Sequence, residues 1–479
     1  MFSARIVPGY PFSEYIVEKK ELSAEYSSLI DSVLQLCRRD TSAKDFCSAL
    51  GVSDAAVSSF DEFVDALDQT EFGMPLGERD KKFFIERLEA LLSKTVSNPE
   101  EQKTVASEVY SKLHGYLLLQ PIFDEEELEE IMINGTTSIF VLHKKYGVCK
   151  TNLRFENGDL LKEFIMQISS DSSLPFEDLK LPEGSRANIL FPPACEETTI
   201  TIRKVRNQPL SIVDLINLNT ISVDLAAFLW LCVEGMRLYP LNILVVGGPA
   251  SGKTTTLNAL SSFIPPSDRI VSIEDTPEIS LLGMQNWVPC RTSDRMSSEA
   301  LLKNSLRMRP DRIIVGEVRG KEAQTLFTAM NVGHRGMLAT LHAEDAKDTI
   351  SRLQNVPMNI PVSLVPLVNL VVVQHNLNTK KGLLRRVMQV SELSKIENLV
   401  AFNEIFAYDS QKGIAVETGT PAQSKERIAK AAGVTINSLT EEIAQRKRLL
   451  NYLIEKNITK LEDVNAFMRN YYSKVYSGK

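Results

Sequence analysis

The first 119 residues carry a helical pattern of hydrophobic and polar positions. Apolar side chains recur every three or four residues over residues 27–37 and 83–92. That spacing places them on one face of an amphipathic helix, and several such helices can bury their apolar faces together. The pattern predicts a small N-terminal helical bundle over residues 1–119.

From about residue 120 the pattern changes to the alternation that is typical of β-strands. The turn signals Asn134-Gly135 and Lys145-Tyr146-Gly147 separate the first short strands, and a helix is expected over residues 157–169. Strands are expected at residues 130–134, 139–143, 148–152, 184–191 and 198–203. We therefore predict an α+β domain over residues 120–218, followed by a linker over residues 219–222.

Residues 223–479 show the alternation of strands and helices that is typical of an α/β domain. An amphipathic helix is expected over residues 223–237. Later strands are expected at residues 269–274, 312–315, 336–342, 370–374 and 385–390. Such alternation predicts a mainly parallel sheet with helices on both faces and a ligand at the carboxyl ends of its strands. The tail from residue 424 is expected to be helical, with the basic triplet Arg446-Lys447-Arg448 on a solvated face.

An apolar strand over residues 241–246 runs directly into a glycine-rich loop. The loop has the P-loop pattern Gly247-x-x-x-x-Gly252-Lys253-Thr254, and a helix is expected after it. The glycines allow successive backbone N–H groups to face a phosphate chain, Lys253 can reach its β- and γ-oxygens, and the Thr254 hydroxyl can hold Mg²⁺. The sequence thus predicts a site for a nucleoside triphosphate and Mg²⁺. Its residues are Gly247, Gly248, Pro249, Ala250, Ser251, Gly252, Lys253, Thr254 and Thr255.

Two further strands end in carboxylates. Glu274 and Asp275 follow apolar residues, and Glu317 follows Gly316, which stands where an aspartate often ends such a strand. Beside a P-loop, such carboxylates can hold a metal-bound water or orient the attacking water. We predict that Glu317 is the base that orients the attacking water and that Glu274 supports it or exchanges roles with it. Both glutamates are also candidate metal ligands. The alternative interpretation is a strand-terminal turn with solvated acids.

A histidine, His342, ends the predicted strand over residues 336–342. A histidine at the end of a buried strand is, taken alone, more often a core residue with satisfied hydrogen bonds. Beside the P-loop and the two carboxylates, we predict instead that His342 contacts the γ-phosphate.

Composition excludes several classes of protein. A formal net charge of −7 over 479 residues argues against a general nucleic-acid-binding protein. The longest apolar run, residues 362–373, is interrupted by Pro366 and Asn369 and is too short to span a membrane. The first ten residues lack the apolar segment of a signal peptide, so a cytoplasmic location is expected. The six cysteines and five histidines lack metal-ligand spacing, so no zinc is expected.

The four motifs, in this order, resemble the Walker A, aspartate, Walker B and histidine boxes of the secretion and type IV pilus ATPase superfamily. Residues 306–319 are similar to the signature of that superfamily. Two departures indicate its archaeal branch: Gly320 stands where many bacterial members carry aspartate, and the chain has no tetracysteine zinc insert.

Within that branch, the chain is most similar to the archaellum motor and assembly ATPase. The segments that carry this likeness are residues 128–135, 143–152, 181–188 and 199–204, together with Pro192-Pro193. The resemblance implies a RecA-like P-loop core behind an α+β N-terminal domain. It also implies that ATP hydrolysis drives the assembly of a filament and, in an archaellum, its rotation.

The resemblance further implies a homohexameric ring in which each ATP lies near a subunit boundary. Arg186 and Arg203 of the N-terminal domain would complete the site, the alternative being solvated strand arginines. Arg319 either helps them or positions Glu317 through a salt bridge. The implied partners are a polytopic membrane platform protein and an accessory regulatory ATP-binding protein, and the chain would work at the inner face of the cell membrane.

Three other functions are open at this point. An archaeal adhesive-pilus or type II-like secretion ATPase would share the same chemistry. A nucleic-acid motor with a RecA-like core would show hydrolysis stimulated by DNA, although the acidic net charge weighs against it. A nucleotide-gated scaffold would bind ATP without turning it over.

Overall fold

Two units make up this structure, which is a computed structural model: Met1–Arg206 and Asn207–Lys479. The structure describes the chain except for residues 1, 8, 10–11, 20–23, 38–40, 50–56, 68–77, 94–95, 97, 170–173, 205–208, 294, 380–381, 398 and 477–479. The division between the units precedes the boundary at residue 218 that the sequence predicts. Each unit has a β-sheet of its own.

The helices of the first unit lie mostly before its main strands. Their bounds are α1 Ala24–Cys37, α2 Ala43–Ala49, α3 Val57–Leu67, α4 Glu78–Leu92, α5 Pro99–His114, α6 Gln120–Asp124 and α7 Gly158–Ile168. Helices α1 to α5 bury their apolar faces in one cluster, in which Leu88, Leu92 and Val109 are fully enclosed. The segments with the strongest helical pattern, residues 27–37 and 83–92, lie in α1 and α4.

The sheet of the first unit begins within the region for which the sequence predicts helices alone. Its strands are β1 Phe2–Val7, β2 Ser13–Lys19, β3 Leu128–Asn134, β4 Ser138–His143, β5 Gly147–Thr151, β6 Phe176–Lys180, β7 Arg186–Leu190 and β8 Thr199–Arg203. Their order is β1-β2-β5-β4-β3-β8-β7-β6. In β2, Tyr15 and Val17 are buried while Glu14 and Glu18 are exposed, which is the alternation of a strand with one covered face.

The second unit alternates strands and helices, as the sequence predicts. Its helices are α8 Ile212–Asn217, α9 Val223–Glu234, α10 Lys253–Ser261, α11 Ser298–Ser305, α12 Glu322–Asn331, α13 Ala346–Gln354, α14 Gln423–Ala432, α15 Ile436–Glu455 and α16 Leu461–Tyr476. Its strands are β9 Ile243–Val246, β10 Ile270–Glu274, β11 Trp287–Arg291, β12 Arg312–Val318, β13 Leu338–Leu341, β14 Leu370–Thr379, β15 Gly382–Ile396, β16 Leu399–Asp409 and β17 Ile414–Glu417.

The strand order of this sheet is β11-β10-β12-β13-β9-β14-β15-β16-β17. The strands from β11 to β14 pair in parallel, and those from β14 to β17 pair antiparallel. Strand β9, which precedes the P-loop, therefore lies between β13 and β14 near the middle of the sheet. Two clusters of buried apolar side chains cover the sheet. The predicted fold class, an α/β protein with a RecA-like P-loop core, is confirmed.

The residues assigned to an interdomain linker lie inside the second unit. Thr220, Ile221 and Ser222 are buried, and the Thr220 carbonyl accepts a hydrogen bond from the N–H of Val387 at 3.0 Å. The Ser222 hydroxyl caps helix α9 by accepting from the N–H of Leu225. These residues are thus held by β15 and α9 of the same unit.

The prediction of a solvated basic triplet in the tail is wrong for Arg446. Its side chain is fully buried, and its guanidinium donates to Glu234 Oε2 at 2.7 Å and to Glu442 Oε2 at 2.7 Å. Glu234 also accepts from the hydroxyl of Tyr476. Helical periodicity alone could not show that the core helix α9 carries a buried carboxylate for Arg446 to neutralise. None of the helices in the described ranges is long and apolar enough to cross a membrane.

Candidate active site

Four motifs meet at the carboxyl edge of the parallel strands. Strand β10 ends at Glu274, β12 contains Glu317, His342 follows β13, and the P-loop follows β9. These strands are neighbours in the order β10-β12-β13-β9. The sheet thus brings together residues that lie far apart along the chain.

The P-loop connects a fully buried strand to helix α10. Its backbone passes through the left-handed region at Ala250, with φ 54°, and at Gly252, with φ 92°. The Ser251 hydroxyl donates to the carbonyl of Gly248 at 2.9 Å. The Lys253 ammonium donates to the same carbonyl at 2.8 Å, and this side chain is only 8% exposed. The lysine is therefore folded back over the loop, where its charge can meet a phosphate chain.

A fifth strand completes the surroundings of the loop. Gln374, near the middle of β14, is buried, and its Oε1 accepts from the hydroxyl of Thr256 at 2.6 Å. The carbonyl of Gln374 approaches Gly247 so closely that a Cβ there would lie 2.0 Å from it. Gln374 is not among the site residues that the sequence predicts, although a polar residue directly after the apolar run Leu370-Val-Val-Val indicates that this strand ends in a site.

Glu317 has a polar environment that keeps it ionised. Its Oε2 accepts from the Arg319 guanidinium at 2.5 Å, and His342 Nε2 lies 3.0 Å from its Oε1. Burial alone would raise the pKa of Glu317, but the hydrogen bond from Arg319 and the charge of Lys253 help to lower that pKa overall. The carboxylate is thus a charged acceptor at neutral pH.

One oxygen of Glu317 is left for another partner. Oε1 is buried and makes no hydrogen bond to the described part of the chain, because the nearby His342 does not have hydrogen-bond geometry. A buried carboxylate oxygen without a donor is unusual, and it suits a water molecule or a metal-bound water.

His342 is a neutral imidazole at physiological pH. Partial burial and the charge of Lys253 lower its pKa, against the opposing influence of Glu317. Its side chain remains 38% exposed, so it is not an enclosed core histidine. The structure thus places it beside the Glu317 carboxylate and near enough to Lys253 for the two groups to interact electrostatically.

Glu274 occupies a different environment from Glu317. It is 6% exposed, and its Oε1 accepts from the N–H groups of Glu278 and Ile279, both at 2.9 Å. Burial raises the pKa of Glu274 despite these two hydrogen bonds. Its side chain also explains Gly316, because a Cβ there would lie 3.0 Å from Glu274 Cγ. The glycine on β12 makes room for the carboxylate on β10.

The remaining polar groups hold this edge in place. Glu322 accepts from the N–H groups of Arg319 and Gly320, at 2.6 Å and 2.7 Å, at the start of α12. Asp275 accepts from the hydroxyl of Thr292 at 2.9 Å. Glu322 lay outside the sequence prediction, since its role depends on a turn and not on a motif.

A metal ion would find few protein ligands here. The described ranges contain no group of three or more histidine, cysteine or acidic side chains suited to hold one. Mg²⁺ commonly keeps several waters and takes only one or two protein ligands besides phosphate oxygens. The hydroxyl of the half-buried Thr254 fits that mode of binding, and so does Glu317 Oε1, which accepts no hydrogen bond from the described chain.

The two arginines that the sequence predicts as site residues belong to the first unit. Arg186 on β7 and Arg203 on β8 are directly opposed in the antiparallel register, and both are exposed. Lys180 on β6 is opposite Arg186 on its other side. On the other side of the row, Glu130 on β3 is opposite Arg203, so the row contains three cations and one carboxylate. Like charges opposed across strands are destabilising, so the opposition of Arg186 to Lys180 and Arg203 does not stabilise the sheet.

Comparison with known proteins identifies the family. The model of the family described as Type II/IV secretion system protein matches residues 121–451. The chain belongs to this family. Its members include nucleotide-binding ATPases, and the P-loop and the Walker B carboxylate both lie within the matched residues.

Several proteins are similar to the chain. An uncharacterised protein of Methanocaldococcus jannaschii is 30% identical over 489 aligned residues, which cover 98% of this chain and 86% of that protein. The probable conjugal transfer protein TrbB of Sinorhizobium fredii is 34% identical over 242 residues, covering 48% of this chain and 72% of that protein. The VirB11 ATPase of the Brucella suis type IV secretion system, solved with sulphate, is 27% identical with a TM-score of 0.32, covering 57% of this chain and 92% of that one.

The close approach of Gln374 to the P-loop leads to a prediction about two adjacent glycines. We expect Gly247→Ala to lower the stability of the folded protein by roughly 1–3 kcal/mol, because its Cβ would collide with a backbone carbonyl that has little room to move. Gly248→Ala is the matched control, since a Cβ there meets nothing within 4 Å. Thermal unfolding of both variants without nucleotide measures the difference, and equal melting temperatures would contradict the described packing.

Proposed function

We propose that this protein is a Mg²⁺-dependent ATP hydrolase whose turnover drives the assembly of an archaellum. The observation that carries the catalytic part is the meeting of Lys253, Glu317 and His342 at one edge of the parallel sheet. A positioned lysine, an ionised carboxylate and a neutral imidazole beside a phosphate-binding loop suit phosphoryl transfer, which depends mainly on positioned charge.

In this proposal residues 247–255 bind the phosphates of ATP. Backbone N–H groups of the loop and of the first turn of α10 would face the phosphate oxygens, and Lys253 would exchange its contact with the Gly248 carbonyl for the γ-phosphate. Mg²⁺, held by Thr254 and by water on a carboxylate, would neutralise phosphate charge when bound.

Glu317 is the better candidate for the group that orients the attacking water. Its lowered pKa keeps it an acceptor, and its Oε1 has no donor within the described chain. Glu274 uses one oxygen to hold the turn at residues 278–279, so we assign it a supporting role at the metal water. Arg319 positions Glu317, which the 2.5 Å contact between them supports.

His342 would contact the γ-phosphate from the β13 side of the loop. A neutral imidazole can donate one hydrogen bond there without adding a second full charge next to Lys253. Its contact with Glu317 would also link the position of the phosphate to that of the water-orienting carboxylate.

Arg186 and Arg203 are proposed as the residues that complete the site at a subunit boundary of a homohexamer. Their exposed, like-charged pairing on β7 and β8 supports a role in binding the triphosphate. Arginine groups that close on a transferring phosphoryl group can accelerate the reaction by roughly 10³–10⁵.

The filament that we propose for this ATPase is an archaellum. The likeness to an archaeal protein over nearly the whole chain supports the archaeal branch, and the sequence segments of the first unit resemble the archaellum ATPase. The hexamer would act at the inner face of the cell membrane on a polytopic platform protein, together with an accessory regulatory ATP-binding protein. An adhesive-pilus or secretion role is the second candidate, favoured by the conjugal-transfer relative.

The first prediction from this proposal concerns ATP turnover. We expect Glu317→Gln to reduce ATP hydrolysis at saturating ATP by roughly 10²–10⁴-fold while ATP still binds, because the amide cannot accept the proton of the attacking water. Lys253→Ala should lose both binding and hydrolysis. Glu344→Gln, an exposed carboxylate near His342 in sequence, serves as the control.

Steady-state hydrolysis and equilibrium binding of a fluorescent ATP analogue measure these effects. Near-normal turnover in Glu317→Gln or Lys253→Ala would refute the site. A wild-type protein that binds ATP without turnover would favour the nucleotide-gated scaffold, and turnover strongly stimulated by DNA would favour the nucleic-acid motor.

The second prediction concerns the arginines. We expect assemblies mixed from wild-type and Arg203→Ala subunits to hydrolyse ATP more slowly than the wild-type fraction alone predicts, because one altered arginine would disable a neighbouring site. Mixtures with Lys150→Ala, an exposed cation on β5, are the control. A loss of activity in simple proportion to dilution would argue against a site shared between subunits.

The third prediction distinguishes an archaellum from an adhesive pilus. Deleting the gene should abolish swimming while surface attachment persists, because an archaellum motor serves rotation and not adhesion. Complementation with Glu317→Gln should fail to restore swimming. Loss of attachment with normal swimming would identify the adhesive-pilus role instead.

A further inference from the structure

The strands β14 and β15 form a hairpin against the outer side of the P-loop. Strand β14 pairs in parallel with β9, so it lies directly beside the strand that leads into the loop. A β-bulge interrupts its pairing with β15 between Val373 and Gln374. Bulges redirect the side chains beside them, and this one lies where Gln374 and the residues after it reach the loop.

Three side chains of the hairpin bind the loop and the helix behind it. Arg385 Nε donates to the carbonyl of Ala250 at 2.9 Å, and Asn376 Nδ2 lies 3.4 Å from the carbonyl of Pro249. Gln374 Oε1 accepts from the hydroxyl of Thr256 at 2.6 Å. The hairpin therefore contacts the tip of the loop and the first turn of α10.

These contacts determine the orientation of two peptide groups. In a planar trans peptide the C=O and the following N–H point in opposite directions. Drawing the carbonyls of Pro249 and Ala250 toward the hairpin therefore turns the N–H groups of Ala250 and Ser251 away from it. Neither N–H makes a hydrogen bond within the described chain, so both can bind phosphate oxygens.

The backbone at this point would not keep its shape unaided. Ala250 has φ 54°, in the left-handed region that residues other than glycine adopt at an energetic cost. The Arg385 guanidinium is a charged donor to its carbonyl, and charged donors make the stronger hydrogen bonds. Gly252 lets the arginine approach, since a Cβ there would lie 3.2 Å from Arg385 Cδ.

We propose that Arg385 is a positioning residue that, with Asn376 and Gln374, holds the P-loop in the orientation that binds the nucleotide diphosphate moiety. This inference rests on the proposed ATPase function and adds to it the residues that set nucleotide affinity. The hairpin acts through the peptide groups of Ala250 and Ser251, so it affects the affinity for nucleotide. This effect is the same for ATP and ADP, because both present the β-phosphate to this loop.

The test is a separation of binding from turnover in the full-length protein. Arg385→Ala is expected to raise the dissociation constants for ATP and ADP equally, by about ten- to a hundredfold, the size expected for losing a hydrogen bond from a charged donor. Its kcat at saturating ATP should stay within about twofold of wild type. Lys395→Ala, which removes an exposed cation from the same strand, should change neither quantity.

Two further variants keep the result interpretable. Arg385→Lys should recover part of the affinity, because an ammonium can still donate to the Ala250 carbonyl. Thr256→Val is nearly isosteric and removes the donor to Gln374, so it should also raise both dissociation constants, which decides the question if Arg385→Ala fails to fold.

Several outcomes would overturn the inference. Unchanged nucleotide affinity in a folded Arg385→Ala protein would do so, as would a fall in kcat with normal affinity or a change for ATP alone. A lower melting temperature of the Arg385→Ala protein with normal nucleotide affinity would show that the contact between Arg385 and Ala250 only stabilises the fold. Failure of the wild-type protein to bind ATP would refute the proposed function as well, so the two failures are distinguishable.

Discussion

The parallel pairing of β10, β12, β13, β9 and β14 is the constraint on which the rest of the site depends. It brings the P-loop, two glutamates, a histidine and a glutamine to adjacent strands, although they span residues 247 to 374. The packing between these strands is close enough to determine residue types. Gly316 gives room to Glu274, and Gly247 gives room to the carbonyl of Gln374. The chemistry of the edge is therefore inseparable from the order of the strands.

The same edge gives its two glutamates opposite electrostatic characters. Glu274 is buried and accepts hydrogen bonds from two backbone N–H groups, and burial raises its pKa. Glu317 lies among Arg319, His342 and Lys253, which keep its pKa low. This difference supports the proposal that Glu274 has a supporting role and that Glu317 orients the attacking water. The sequence motif contains both residues and could not make this distinction.

Much of the site could be predicted because its motifs are local. The P-loop, Glu274, Glu317 and His342 each follow an apolar run, and the ends of parallel strands meet at one edge. Arg385 follows no such pattern, and the polar Gln374 ends an apolar run but could not be assigned to the P-loop, because both roles depend on β14 being the neighbour of β9. Arg446 was misjudged for a similar reason, since its partner Glu234 lies on a distant helix. Strand β2 likewise joins its sheet by pairing with the distant β5, whereas β15 to β17 pair antiparallel with strands adjacent in the sequence.

We propose that Glu317 and His342 act together on one bound phosphate chain. A double-mutant cycle measures this most directly, with single-turnover ATP hydrolysis recorded for wild type, Glu317→Gln, His342→Gln and the double variant. Groups that serve the same step as a unit show losses that do not multiply. We therefore expect the double variant to be about as slow as the slower single variant. A double variant whose loss equals the product of the two single losses would contradict it.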